Sequence, residues 1–90
     1  TSHYPYDESF LDLADERGLL VIGEVASINL DFRRVDARTR AGHEAAIAAQ
    51  FARDRNHPSV ILWSLANEPG YLGEPEYRER SGDYWRALFD

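Results

Sequence analysis

Polar side chains that could perform acid–base chemistry lie where apolar segments of this sequence end. Glu24 follows the apolar run 19–22, and Asn67-Glu68 follows the longer apolar segment 59–65. A carboxylate carried out of an apolar strand has partly dry surroundings, which raise its pKa and suit a general acid. An amide beside it can hold a substrate hydroxyl. The pattern therefore predicts Glu68 as a general acid and Asn67 as a binding residue, because active sites of α/β folds gather at the carboxyl ends of strands.

Both glutamates also have structural interpretations. A glutamate at a strand end often completes a loop or caps a helix, and Glu24 could simply form an ion pair with an arginine. Spacing alone leaves these alternatives open.

The histidines do not have the spacing of metal ligands. His3, His43 and His57 are far apart, with no H-x-x-x-H or H-x-H pattern, so we predict no metal site. His57 precedes a proline and is expected to satisfy backbone groups at a turn, and His43 is expected on a solvated helix face. His3 lies near a predicted strand end and is a candidate ligand contact. Glycine-rich phosphate loops and the G-x-S-x-G motif of serine hydrolases do not occur.

Hydrophobic periodicity predicts the elements that would position these groups. We expect helices over residues 7–17, 39–55 and 76–89, and parallel strands over residues 19–23 and 59–65. Asp7 is suited to cap the first helix, and Gly18 to end it in a left-handed conformation. In the second helix, a row of alanines at helical spacing is expected to line one side. These are Ala41, Ala45, Ala48 and Ala52.

Composition excludes several function classes. The 90 residues carry a net charge of -6, which disfavours a nucleic-acid partner because phosphate binding needs a basic face. The apolar runs are too short to cross a membrane. No basic segment followed by an apolar one opens the chain, so a cytoplasmic location is expected. The chain has no cysteine, which excludes disulfides and thiolate metal sites.

The order helix, strand, helix, strand, helix is typical of a parallel α/β fold. Two parallel strands cannot close a sheet or cover both of its faces, and a sheet with bare apolar faces is marginal. We therefore expect residues 1–90 to be part of a larger α/β body, as consecutive units of a barrel.

Three stretches together resemble the catalytic barrel of glycoside hydrolase family 2. They are Thr1-Ser2-His3-Tyr4-Pro5, Arg53-Asp54-Arg55-Asn56-His57-Pro58-Ser59-Val60 and Trp63-Ser64-Leu65-Ala66-Asn67-Glu68-Pro69. The resemblance implies a fragment of a (β/α)8 TIM barrel, from about the end of the second strand through the fourth helix. It also implies a retaining β-glycosidase that acts on carbohydrate, with Glu68 as acid/base, Asn67 holding a sugar hydroxyl and His3 near the sugar. The nucleophile of the family comes from a later strand, outside these residues.

Two departures from the family pattern bear on the substrate. Gly23-Glu24 replaces the common Asp-Glu pair, and Ile28 and Leu30 occupy positions where magnesium-dependent β-galactosidases carry metal ligands. The resemblance therefore implies no cofactor. The loop 26–30 is more similar to that of β-glucuronidases, with β-galactosidase-type or β-mannosidase-type enzymes as alternatives.

A non-catalytic barrel fragment is the alternative from a different functional class. The missing second carboxylate favours it for the 90 residues alone. In either case the rest of the barrel, or a homo-oligomer, is the expected protein partner.

Overall fold

The computed structural model describes residues 1–70 and 77–89, and contains three helices and two strands within them. Their order is α1 (Glu8–Arg17), β1 (Val21–Glu24), α2 (Ala37–Asp54), β2 (Val60–Ser64) and α3 (Tyr77–Phe89). The predicted order is confirmed, and the boundaries differ from prediction by one or two residues. The first residue of the third predicted helix, residue 76, lies outside the described residues.

Local side-chain chemistry sets the ends of the first two helices. The Asp7 carboxylate accepts a hydrogen bond from the Ser9 amide at 2.8 Å, and Gly18 ends α1 with a φ of 68°. Both roles were predicted. Asp36 caps α2 in the same way, because its carboxylate accepts from the Thr39 amide at 2.7 Å.

The two strands pair in parallel, as predicted, and the register places Gly23 opposite Trp63 and Glu24 opposite Ser64. Thr1 lies on the other edge of β1. Its amino nitrogen donates to the Ile22 carbonyl, and its hydroxyl accepts from the Glu24 amide at 3.0 Å. The start of the chain is therefore next to the carboxyl end of β1.

One face of the sheet is covered by α1. Leu11 and Ala14 from the helix pack with Val21 of β1, and Val60 of β2 packs against them. On the opposite face, Ile22 is 49% exposed and its register partner Leu62 is 55% exposed. Within the described residues this apolar face has no covering layer, as expected for two strands of a barrel.

The buried side of α2 is polar. The four alanines of the predicted row are exposed, whereas His43, Gln50 and Asp54 are buried. Alanines occur all around this helix, so their spacing does not distinguish one side from another. Two of these buried side chains have hydrogen-bond partners. Asp54 accepts two hydrogen bonds from the Arg53 guanidinium, and the ring nitrogens of His43 contact Tyr84 and Leu65.

Tyr84 and Trp85 of α3 form an aromatic cluster with Phe32 from the β1–α2 loop. The Phe32 ring meets both side chains edge to face, at centroid distances of 5.3 and 5.7 Å. This cluster packs α3 against the loop and against the imidazole of His43. Among the described helices, none combines the length and apolarity needed to cross a membrane.

Candidate active site

The Asn67-Glu68 pair lies directly after β2, at the carboxyl end of the sheet, as the sequence predicts. Backbone pairing continues past the strand here. The Asn67 amide donates to the Ser27 carbonyl at 2.8 Å, and the Asn29 amide donates to the Asn67 carbonyl at 3.1 Å. A third bond joins the Gly70 amide to the Leu30 carbonyl at 2.7 Å. The segment that carries Glu68 is therefore fixed to the loop after β1.

Glu68 has a left-handed backbone conformation, with a φ of 43°. This conformation costs an L-residue about 1–2 kcal/mol, because Cβ approaches the following carbonyl oxygen. Such strain persists only where the surroundings impose it, and it is concentrated at functional sites. The Glu68 side chain itself is exposed, so the described residues do not provide the partly dry surroundings expected from the sequence.

Glu24 links two other groups at the same end of the sheet. One of its carboxylate oxygens accepts a hydrogen bond from the Ser64 hydroxyl at 2.7 Å. The other, Oε1, lies 3.4 Å from Nδ1 of His3, is buried, and accepts no hydrogen bond from the described residues. Within the described residues, the contacts of the Glu24 carboxylate are therefore with a serine and a histidine.

The structure shows where a side chain at position 23 would point. Its position faces α2, where an added Cβ would lie 3.3 Å from the Gln50 amide nitrogen and 3.4 Å from the Trp63 ring. Glu24, the next residue, faces the other side of the strand. A side chain at position 23 would therefore point away from Glu24 and Ser64.

The structure brings the three predicted site residues to one end of the sheet in two groups. His3 pairs with Glu24, and Asn67 and Glu68 are held against the loop 27–30. Ser64 lies between the two groups. Its hydroxyl donates to Glu24, and it is the last residue of the strand that precedes Asn67. Sequence reasoning missed Ser64. The position of Ser64 in the predicted strand could have revealed it, because residues paired across two parallel strands face the same side of the sheet, and Ser64 pairs with Glu24.

His57 lies at the opposite, amino end of β2 and has a structural role, although not the one expected. Its Nδ1 contacts the Asp15 carboxylate at 2.7 Å, and the same carboxylate accepts from the Ser59 amide at 2.9 Å. The hydrogen bond to Asp15 raises the pKa of His57. Asp12 lies nearby, so three potential ligand atoms come within 4.8 Å of one another. The contact between His57 Nδ1 and Asp15 joins α1 to the turn before β2.

The second wrong expectation concerns His43, which is buried and 7% exposed instead of solvated. Its two ring nitrogens contact Tyr84 and the carbonyl of Leu65. Helical spacing could not reveal this, because the partners are distant in the sequence.

Two parallel strands connected by a helix, with acidic and amide groups beyond their carboxyl ends, are the arrangement expected of an α/β barrel segment. Residues 1–88 match the family model described as glycosyl hydrolases family 2, TIM barrel domain. The chain belongs to this family.

Relatives place the chain more narrowly within the family. It is 44% identical to the β-glucuronidase of Streptococcus agalactiae over 98% of this chain and 16% of that protein. Identity to the rat β-glucuronidase is 39%, over 98% of this chain and 13% of the relative. The chain is thus a β-glucuronidase-like segment, and it spans about a sixth of the length of these curated relatives.

The solved structures agree with the sequence relatives. The β-glucuronidase of Bifidobacterium dentium, complexed with coumarin-3-O-glucuronide, superposes with a TM-score of 0.87 at 39% identity. The match covers 99% of this chain and 14% of that structure. The predicted fold class, a fragment of a TIM barrel, is confirmed.

Proposed function

We propose that this chain supplies the acid/base half of a retaining β-glucuronidase site, with Glu68 as acid/base and Asn67 and His3 as substrate-binding residues. The observation that carries the proposal is the backbone of Glu68. A left-handed glutamate at a strand's carboxyl end, fixed by pairing of Asn67 to the neighbouring loop, is a strained arrangement that a purely structural residue would not need.

The exposure of Glu68 suits this role. Its carboxylate must first protonate the departing glycosidic oxygen and then remove a proton from the attacking water. Both steps need an oxygen accessible to the substrate and to water, and the Glu68 side chain is exposed at this end of the sheet. The second carboxylate must lie about 5–5.5 Å away on another strand, because retention requires a nucleophile opposite the acid/base.

Asn67 and His3 are suited to orient the sugar. Asn67 is half-buried, and its backbone N–H and carbonyl are both hydrogen-bonded to the loop after β1. The side-chain amide therefore starts from a fixed backbone position from which it can bind a hydroxyl. His3 has Nδ1 directed at Glu24, which leaves Nε2 for the substrate. The glucuronide preference is supported by the relatives, whose names and bound ligand are those of β-glucuronidases.

The test uses a complete barrel. Residues 1–90 replace the matching segment of the Streptococcus agalactiae relative, and Glu68→Ala is compared with the unaltered chimaera. Glucuronides with poor leaving groups should lose about 10²–10⁴-fold in kcat/KM, the usual contribution of general acid catalysis. Activated aryl glucuronides should lose much less in the glycosylation step, because their leaving groups need little protonation.

Azide supplies a second readout, since it attacks the glycosyl intermediate without needing a base. It should partly restore turnover of activated substrates by Glu68→Ala and yield a β-glucuronosyl azide. Glu16→Ala, which removes an exposed carboxylate from α1, serves as the matched control and should change neither substrate class. Equal losses on good and poor leaving groups in Glu68→Ala, or a folded but inactive chimaera, would exclude the proposed role.

A further inference from the structure

The carbonyl oxygen of Leu65 is held by a buried histidine just before the Asn67-Glu68 pair. Nε2 of His43 lies 2.7 Å from this oxygen, and His43 is 7% exposed. A carbonyl oxygen only accepts hydrogen bonds, so Nε2 must carry the hydrogen and donate it. The imidazole thus anchors the chain at the point where β2 has ended and the site begins.

The other ring nitrogen is also engaged. Nδ1 of His43 lies 2.7 Å from the hydroxyl of Tyr84, which is 6% exposed. Burial raises the pKa of Tyr84, so its hydroxyl stays protonated and can donate to Nδ1 of the imidazole. This bond selects the tautomer with hydrogen on Nε2, which is the one that Leu65 requires.

Aromatic rings hold the imidazole in its plane. Tyr84 stacks on it at 30° with a centroid distance of 5.8 Å, and Trp85 meets it edge to face at 6.3 Å. Phe32 supports both of these rings from the loop. Rings from α3 and the β1–α2 loop therefore pack around the His43 imidazole, which in turn contacts the Leu65 carbonyl.

We infer that His43 is a positioning residue for Glu68, an inference that rests on the proposed function. The segment 65–68 is held at two points: the Leu65 carbonyl by His43, and Asn67 by the loop 27–30. Glu68 comes directly after the second of these points, and its backbone has the left-handed conformation. Loss of the first anchor lets this strained segment relax and moves the carboxylate away from the glycosidic oxygen.

The test measures discrimination between leaving groups in the same chimaera. A misplaced acid harms the substrates that need protonation, whereas general destabilisation lowers activity on every substrate by the same factor. His43→Leu keeps an apolar side chain of moderate size and removes the donor. We expect it to lower kcat/KM on an alkyl glucuronide by about 10- to 100-fold, the cost of a displacement near 1 Å. The loss on an activated aryl glucuronide should be several times smaller.

Two further variants separate positioning from packing. His43→Gln retains an N–H that can donate to the Leu65 carbonyl and should recover most of the kcat/KM lost on the alkyl glucuronide. Tyr84→Phe keeps the ring and the packing but removes the hydroxyl that selects the tautomer, so it should show a smaller shift in the same direction. The matched control is His57→Leu, a hydrogen-bonded histidine at the opposite end of β2, which should lower both substrate classes equally.

Several outcomes would overturn the inference. It fails if His43→Leu lowers both substrates by one factor, if His43→Gln is no better than His43→Leu, or if Tyr84→Phe leaves the substrate ratio unchanged. Should His43→Leu not fold, the Gln and Phe variants still decide the question. Glu68→Ala in the same assay separates the two proposals: if it discriminates between leaving groups and the His43 variants do not, only the positioning role is wrong. A crystal structure of a His43 variant with residues 65–68 unmoved would also refute it.

Discussion

Replacing Glu68 by glycine should give a more stable protein than replacing it by alanine, although both changes remove the proposed acid/base. The reason is the φ of 43° at this position. Glycine adopts left-handed backbone without a steric penalty, whereas alanine has the same Cβ conflict as glutamate. The comparison therefore measures the strain that the fold imposes at the site.

The magnitude follows from two opposing effects. Left-handed backbone costs an L-residue about 1–2 kcal/mol, and glycine loses about 0.5–1 kcal/mol more than alanine in conformational entropy on folding. Glu68→Gly should therefore exceed Glu68→Ala by about 0.5–1 kcal/mol in free energy of unfolding. The assay is urea denaturation of the chimaera, comparing midpoints at constant m value.

Two glycines of the same chain provide controls of opposite sign. Gly18 has a φ of 68° with no atom within 4 Å of an added Cβ, so Gly18→Ala should destabilise by a similar amount. Gly42 lies inside α2, also with open space around its Cβ, so Gly42→Ala should stabilise by about 0.5–1 kcal/mol. If alanine equals or exceeds glycine at position 68 while both controls behave as expected, Glu68 is not strained and the central argument for its role is lost.

Two other predictions concern stability. Leu11→Ala should lower the free energy of unfolding by about 2–5 kcal/mol, because Leu11 is 2% exposed in the α1–β1 core, and Glu16→Ala on the same helix should leave the urea midpoint nearly unchanged. The Asp15–His57 pair should stabilise most between pH 3.8 and 6.5, the ordinary pKa values of its groups. Its contribution declines at higher pH, as His57 loses its proton through a raised pKa, and at lower pH, as Asp15 gains one through a lowered pKa. The difference in urea midpoint between the unaltered chimaera and His57→Gln, followed from pH 3 to 9, should pass through a maximum, and a flat difference would contradict this pairing.

The sequence alone predicted the features that depend on local chemistry. Asp7 and Gly18 bound the first helix because their side-chain and backbone properties act within one turn. The uniformly apolar runs before Glu24 and before Asn67 predicted parallel strands, because only strands covered on both faces have such composition. The placement of Asn67-Glu68 at the carboxyl end of β2 followed from this order, and the family motifs singled out Glu68 as the candidate acid/base.

The tertiary structure decided which partner each polar side chain has. His43 contacts Leu65 and Tyr84, which are 22 and 41 residues away in the sequence, and Asp15 and His57 are 42 residues apart. Hydrophobic periodicity reports only on neighbouring residues, so it cannot predict contacts between residues this far apart in the sequence. An alanine-rich helix such as α2 has small apolar groups on every side, so the alanines do not show which side is buried; His43 is buried there with partners in α3 and after β2. The left-handed backbone of Glu68 likewise arises from pairing between two loops, and a glutamate has no intrinsic preference for it.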